Sequence, residues 1–258
     1  MAAAQNEDVT LFSWKNCKTV DGKDIIPKAR KQETADTCPA YAISAYMQIV
    51  YRLTQTDNKV SEENWVEDLS AKQIIDIMTT IGSTEIKKIF DYLIKEKVLP
   101  LTDKEYDGQR QRLPYPDDPR RVFTDSVSIF GMAGLNWSSS RICREIFKHG
   151  AVIGVIPICS DFFDKAITEG TDIYKARKVL IRDGKFQKHA VVIIGWGRRG
   201  ETFYWEFLNS FGDEWGKGGV GKVEMRAVLE IHFLRIAKHN IGKRSSLLAT
   251  PVKDKIIA

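Results

Sequence analysis

The sequence predicts an α+β protein, with a mostly helical first lobe and a mostly β second lobe. Three observations predict it. Between residues 39 and 100, apolar residues recur at helical spacing, with start and stop residues at the ends of the runs. From residue 151 the pattern changes to short β-branched and aromatic runs separated by glycines. Between the halves, residues 101–121 (LTDKEYDGQRQRLPYPDDPRR) carry three prolines and many charges, and read as a long crossing between the lobes.

Taken in order, residues 1–37 show little periodicity and read as an extended lead-in. From Pro39 the run Ala40, Tyr41, Ile43, Ala45, Tyr46, Met47, Ile49, Val50 and Leu53 is apolar on most sides, so it predicts a buried central helix. LSAKQIIDIMTTIG predicts a second helix, with Ser70 as N-cap and Gly82 as stop. STEIKKIFDYLIKEKVLP predicts a third, ending before Pro100, and SSSRICREIFKHG a fourth, closed by Gly150. AVIGVIPIC and HAVVIIGWG predict buried strands, and TFYWEFL and GVGKVEMRAV continue the sheet. Residues 238–258 are basic and weakly patterned and are expected to form a surface tail.

Composition narrows the function. Over 258 residues the net charge is +5 and the basic residues are scattered, so no nucleic-acid partner is expected. No apolar run approaches the roughly 18 residues of a membrane span, and no membrane partner is expected. The first residues, MAAAQNEDVTLFSW, lack the basic and apolar regions of a signal peptide. Four cysteines, Cys17, Cys38, Cys143 and Cys159, are too few for a disulfide framework in a chain of this size. A cytoplasmic, reducing location is the expectation, with a secreted or vacuolar one as the alternative. No metal site and no cofactor are expected.

Thr37-Cys38-Pro39 sits at the threshold of the central helix. The free N–H groups and dipole of a helix start favour thiolate over thiol, and proline suits a first turn that has no use for its N–H. Taken alone, a buried cysteine serving as a small hydrophobe is the commoner reading. A thiol nucleophile also needs a base and an orienter for the base. His189, of the four histidines, opens an apolar strand, and Asn209 follows TFYWEFL where its side chain could fix an imidazole tautomer. Alone, Asn209 reads as a turn residue.

Together these residues resemble the papain-like cysteine proteases. Gln32 stands six residues before Cys38, as the family's oxyanion glutamine does. HAVVIIGWG resembles the family's His-Ala strand, NSFGDEWGKGG its Asn-Ser-Trp-Gly run, and VEDLSAKQIIDIM its leucine–serine helix. The 151-residue gap from Cys38 to His189 is close to the family's range of about 130–150. The resemblance covers approximately residues 12–236, which sets a peptidase domain at 1–237 and leaves the tail at 238–258.

The resemblance implies a two-lobe fold whose second lobe is an antiparallel, barrel-like sheet. It implies a cysteine-type peptidase working through a thiolate–imidazolium pair and an acyl-enzyme. Cys38 would attack, His189 move the proton, Asn209 orient the ring and Gln32 donate to the oxyanion. Gly82 and Ser83 fall where the family binds substrate backbone, and Phe211 stands for the tryptophan that shields the histidine. Two other uses of the site are an acyl-transfer or ligase activity and a silent binding module. A peptide or protein substrate, a protein inhibitor and a monomeric state are expected. Ala35, Ile77 and Met78 stand where family cysteines would be, so those bridges cannot form. No propeptide is read before the mature-like region. Lys188, next to His189, is expected to oppose the imidazolium.

Overall fold

The computed structural model describes residues 7–18, 22–57, 68–98, 100–108, 123–130, 139–177, 181–182 and 185–236. The 238–258 tail and most of the proline-rich crossing lie outside the described residues. Five helices are described, α1 (Cys38–Asp57), α2 (Ala71–Ile81), α3 (Ile86–Lys95), α4 (Ser139–His149) and the single turn α5 (Lys165–Thr168). The strands are β1 (Asp8–Ser13), β2 (Phe123–Phe130), β3 (Val152–Pro157), β4 (Ile173–Tyr174), β5 (Ile181–Arg182), β6 (Lys185–Phe186), β7 (Lys188–Arg199), β8 (Thr202–Leu208), β9 (Val220–Glu224) and β10 (Glu230–Ile236).

The helical lobe follows its local signals. Ser70 accepts a hydrogen bond from the Gln73 N–H and caps α2. Gly82 ends α2 in the left-handed conformation, φ 62°, and its N–H returns to Met78 and Thr79. α1 is the axis of the molecule. Ile43, Tyr46, Met47, Ile49, Val50 and Leu53 are buried on it, and it packs against both α2 and the sheet. Tyr46 Oη accepts from the Leu234 N–H at 2.8 Å and so fastens α1 to β10 in the other lobe.

The main sheet has eight strands in the order β2-β10-β3-β7-β8-β9-β4, with β1 added on β7. It does not close into a barrel, and its last pair, β4 with β9, is parallel. β7 is twelve residues long and serves three neighbours. One edge carries β3 opposite Lys188–Ile193 and then β1 opposite Gly195–Arg199; the other carries β8 from Val192 onward. The lead-in is therefore not featureless. Its β1 belongs to the sheet, held by Phe12 stacking on Trp196 with ring centroids 4.7 Å apart and by Arg199 bridging Asp8 and Asp172.

Candidate active site

Two connections bring the site together. β7 starts at Lys188, which places His189 opposite Ile156 of β3 and brings the next residue, Ala190, to the Cys38 thiol at the start of α1. The lead-in then crosses the loop after β8: the Gln32 N–H donates to Ser210 O at 2.8 Å and the Gly212 N–H to Arg30 O at 3.1 Å. Gly219 makes room for this crossing. It has φ +79°, and a Cβ there would lie 2.0 Å from the Ala29 Cβ. Its carbonyl accepts the Asn209 N–H at 2.8 Å.

Cys38 is the first residue of α1, and the Ala190 N–H points at its Sγ from 3.5 Å. His189 Nε2 lies 2.7 Å from Asn209 Oδ1. The amide oxygen can only accept, so Nε2 carries the proton and Nδ1 keeps its lone pair. Asn209 Oδ1 is itself fixed by the Ser210 N–H at 2.8 Å. Phe211 covers the imidazole with a centroid separation of 4.9 Å, and the fully buried Phe162 lies 5.8 Å from the same ring. Phe162 stacks on Trp215, so the histidine is enclosed in aromatic carbon.

Burial decides the titration of both groups. It pushes the Cys38 thiol up to about 11, Asp36's charge adding to the effect while the N–H groups of Ala190 and Cys38 oppose it. Burial also takes the His189 imidazole down to about 4, against the opposing Asn209 contact. The helix start therefore does not by itself make a thiolate here, because loss of hydration outweighs it. The imidazole takes up its second proton only near pH 4.

Other expected residues sit differently. Gln32 is half-buried; its Nε2 donates to Thr34 O at 2.8 Å and to Ala35 O at 3.4 Å, and its Oε1 accepts from the Ser210 hydroxyl. Its amide must exchange a carbonyl of its own loop before it can donate to an oxyanion. Gly82 and Ser83 both turn their N–H groups onto the last turn of α2, toward Thr79 and Met78. The cleft beside Cys38 is lined instead by the following four residues, Thr84 to Lys87. Lys188 is not an uncompensated charge, because its Nζ pairs with Glu230 Oε1 at 2.5 Å. The His232 contact, and Lys188 after it, hold the Glu230 carboxyl down at about 2 despite burial.

Sequence reasoning missed Glu230, His232 and Phe130, which all line this cleft. The alternation of apolar residues in EIHFLRI was the available signal for the strand that carries two of them.

The papain family cysteine protease profile matches residues 12–238, nearly the whole described chain. The chain belongs to the papain family of cysteine proteases. It is 24% identical over 217 residues to a cysteine protease of Blomia tropicalis and 23% identical over 226 residues to human cathepsin O. Each alignment takes in 83% of this chain but 60% of the relative. Among solved structures, the bromelain protease of Ananas comosus in complex with the E64 inhibitor superposes with a TM-score of 0.61. That match has 15% identity and spans 88% of this chain and 98% of the other, and it shows the papain-like fold.

Proposed function

We propose that this papain-family chain hydrolyses peptide bonds through Cys38. The observation that carries the reading is the 2.7 Å contact from His189 Nε2 to Asn209 Oδ1, one residue before the Ala190 N–H that points at the Cys38 thiol. With Nε2–H held by the amide, Nδ1 is the atom left to take the thiol proton. The sulfur attacks the peptide carbonyl as that proton moves to Nδ1. The imidazolium then protonates the leaving amine, which departs and leaves an acyl-enzyme. Water, deprotonated by the same nitrogen, releases the acid and restores the thiol. Enclosure of the ring by Phe211 and Phe162 strengthens its bond to Asn209 by excluding water. The Cys38 N–H at the start of α1 and the Gln32 amide are the proposed oxyanion donors.

Peptides and proteins are the substrates this reading implies, and a protein inhibitor of the thiol is a partner it allows. Four unpaired thiols, three of them buried, support a reducing location. A second reading transfers the same acyl group to an amine. The different engagement of Gly82 and Ser83 favours keeping it, since the cleft wall has changed while the nucleophile and its base have not. Digestion of a peptide library, with and without an added amine nucleophile, tests both. New termini that carry the amine in place of hydroxyl would establish transfer. Hydrolysis that is lost in Cys38→Ala, with an unchanged melting temperature, is the expected result. Hydrolysis that persists in Cys38→Ala would overturn the assignment.

A further inference from the structure

Helix α3 ends in an uncommon way. The Val98 N–H returns to Leu93 O at 3.0 Å and the Lys97 N–H to Ile94 O at 3.2 Å, the closure that usually places glycine at a left-handed position. Gly82 fills that position after α2, with φ 62°. After α3 the residue is Lys97, with φ 50°. A Cβ in this conformation crowds the backbone, so a lysine stands where glycine would fit with less strain. Strain held at a defined point is a pointer to a use for the side chain.

Lys97 stands at the rim of an apolar cavity of about 330 Å3. The buried Met47, Leu93 and Leu234 form its floor, and the half-buried Ile94, Val98 and Phe123 its walls. Thr124 and Lys97 are its polar members, both are exposed, and Lys97 is its one charge. Lys97 has no ion-pair partner among the described residues, and the adjacent Glu96 lies 3.7 Å from Lys95. The carbonyls of Leu93 and Ile94 already accept the two closing N–H groups, so they do not hold the ammonium. None of the residues around this cavity lines the cleft beside Cys38. α3, β2 and β10 border the cleft with their opposite ends, through Ile86, Phe130 and Glu230.

We propose that this cavity binds a medium-chain alkyl carboxylate, with its chain on the apolar floor and its head on Lys97. At about 30 Å3 for each water-sized group, the space holds about eleven non-hydrogen atoms, close to a ten-carbon acid. Burial of the chain supplies most of the affinity, since an exposed ion pair alone is worth little. The lysine decides which head group is accepted. A carboxylate gains a charge-assisted hydrogen bond there, an alcohol of the same length gains less, and an alkylammonium meets a like charge. Cys38 takes no part in this binding, which stands or falls apart from the peptidase reading.

Calorimetric titration of the full chain with decanoate, decanol and decylammonium, each below its micelle-forming concentration, tests the proposal. One site is expected, with decanoate bound about tenfold more tightly than decanol and decylammonium weakest. Lys97→Gln should bring the decanoate-to-decanol ratio down to about one. Lys97→Gly should weaken decanoate binding about tenfold while the melting temperature holds or rises, because glycine relieves the left-handed strain. That pairing separates a lost ligand contact from a damaged fold. Thr124→Trp, at an exposed strand position that suits an aromatic residue, should fill the cavity and abolish binding with the fold kept. Prior alkylation of Cys38 should leave decanoate binding unchanged. Decanol bound as tightly as decanoate, or full decanoate affinity in Lys97→Gly, would overturn the proposal. So would decanoate binding that is absent, spread over several sites, or lost when Cys38 is alkylated.

Discussion

Replacing His189 by glutamine should remove a defined part of the protein's acid sensitivity. In the fold the imidazole titrates near 4 instead of 6.5, with burial the main cause and the Asn209 contact opposing it. Between those two pH values the unfolded chain binds a proton that the folded protein refuses. Stability therefore falls as pH falls through this window, and the contribution is fully present above about 6.5. At about 1.4 kcal/mol per pH unit, the loss down to pH 4 comes to about 3 kcal/mol. Glutamine is similar in size and does not titrate. Glu230, held at about 2, loses its contribution only below its ordinary 4.5, and equally in both proteins. Urea unfolding of wild type and His189→Gln at pH 4, 5, 6 and 7 reads the effect directly. The stability difference between the two should change by about 3 kcal/mol across the series, with the wild type losing more toward acid. Parallel curves would refute the argument that burial sets the titration of this histidine.

Two further predictions concern the turn before the thiol. Asp36→Asn should lower the Cys38 thiol pKa, since the Asp36 charge opposes the thiolate; the pH dependence of iodoacetamide alkylation should shift toward acid, and high salt should shrink the shift. A superimposable profile at low salt would contradict it. Gln32→Ala should lower kcat by about 10²–10³ with KM little changed, as expected for losing one oxyanion donor. An unchanged kcat would leave Gln32 as a tie between its own loop and Ser210.

What was legible in the sequence depended on whether the signal was local. Ser70 and Gly82 mark both ends of α2 because capping is a matter of adjacent backbone groups. Cys38, His189 and Asn209 were legible as a set because each stands at an element boundary, where side chains can converge. β1 and β2 were not legible: β1 is partly exposed and gains its place from Trp196 and Arg199 far along the chain, and β2 is an edge strand with weak alternation. The barrel expected for the second lobe fails for a similar reason, since closure depends on which strands meet at the edges. Lys188 was read against its neighbour His189, but its partner is Glu230, 42 residues away on β10. Gly82 and Ser83 were placed on the substrate path by position in the chain, whereas hydrogen bonding turns their N–H groups back onto α2.

In the proposed mechanism Cys38 is a nucleophile activated by His189. Incubation with an epoxide thiol-protease inhibitor at neutral pH, followed by intact and peptide mass spectrometry, tests it most directly. One inhibitor per chain is expected, located on Cys38, with peptide hydrolysis lost in step with labelling, and much slower labelling in His189→Gln. The buried Cys143 and Cys159 should stay unmodified in the folded protein. Labelling that spreads over several cysteines, or a Cys38 that labels equally fast without His189, would contradict it.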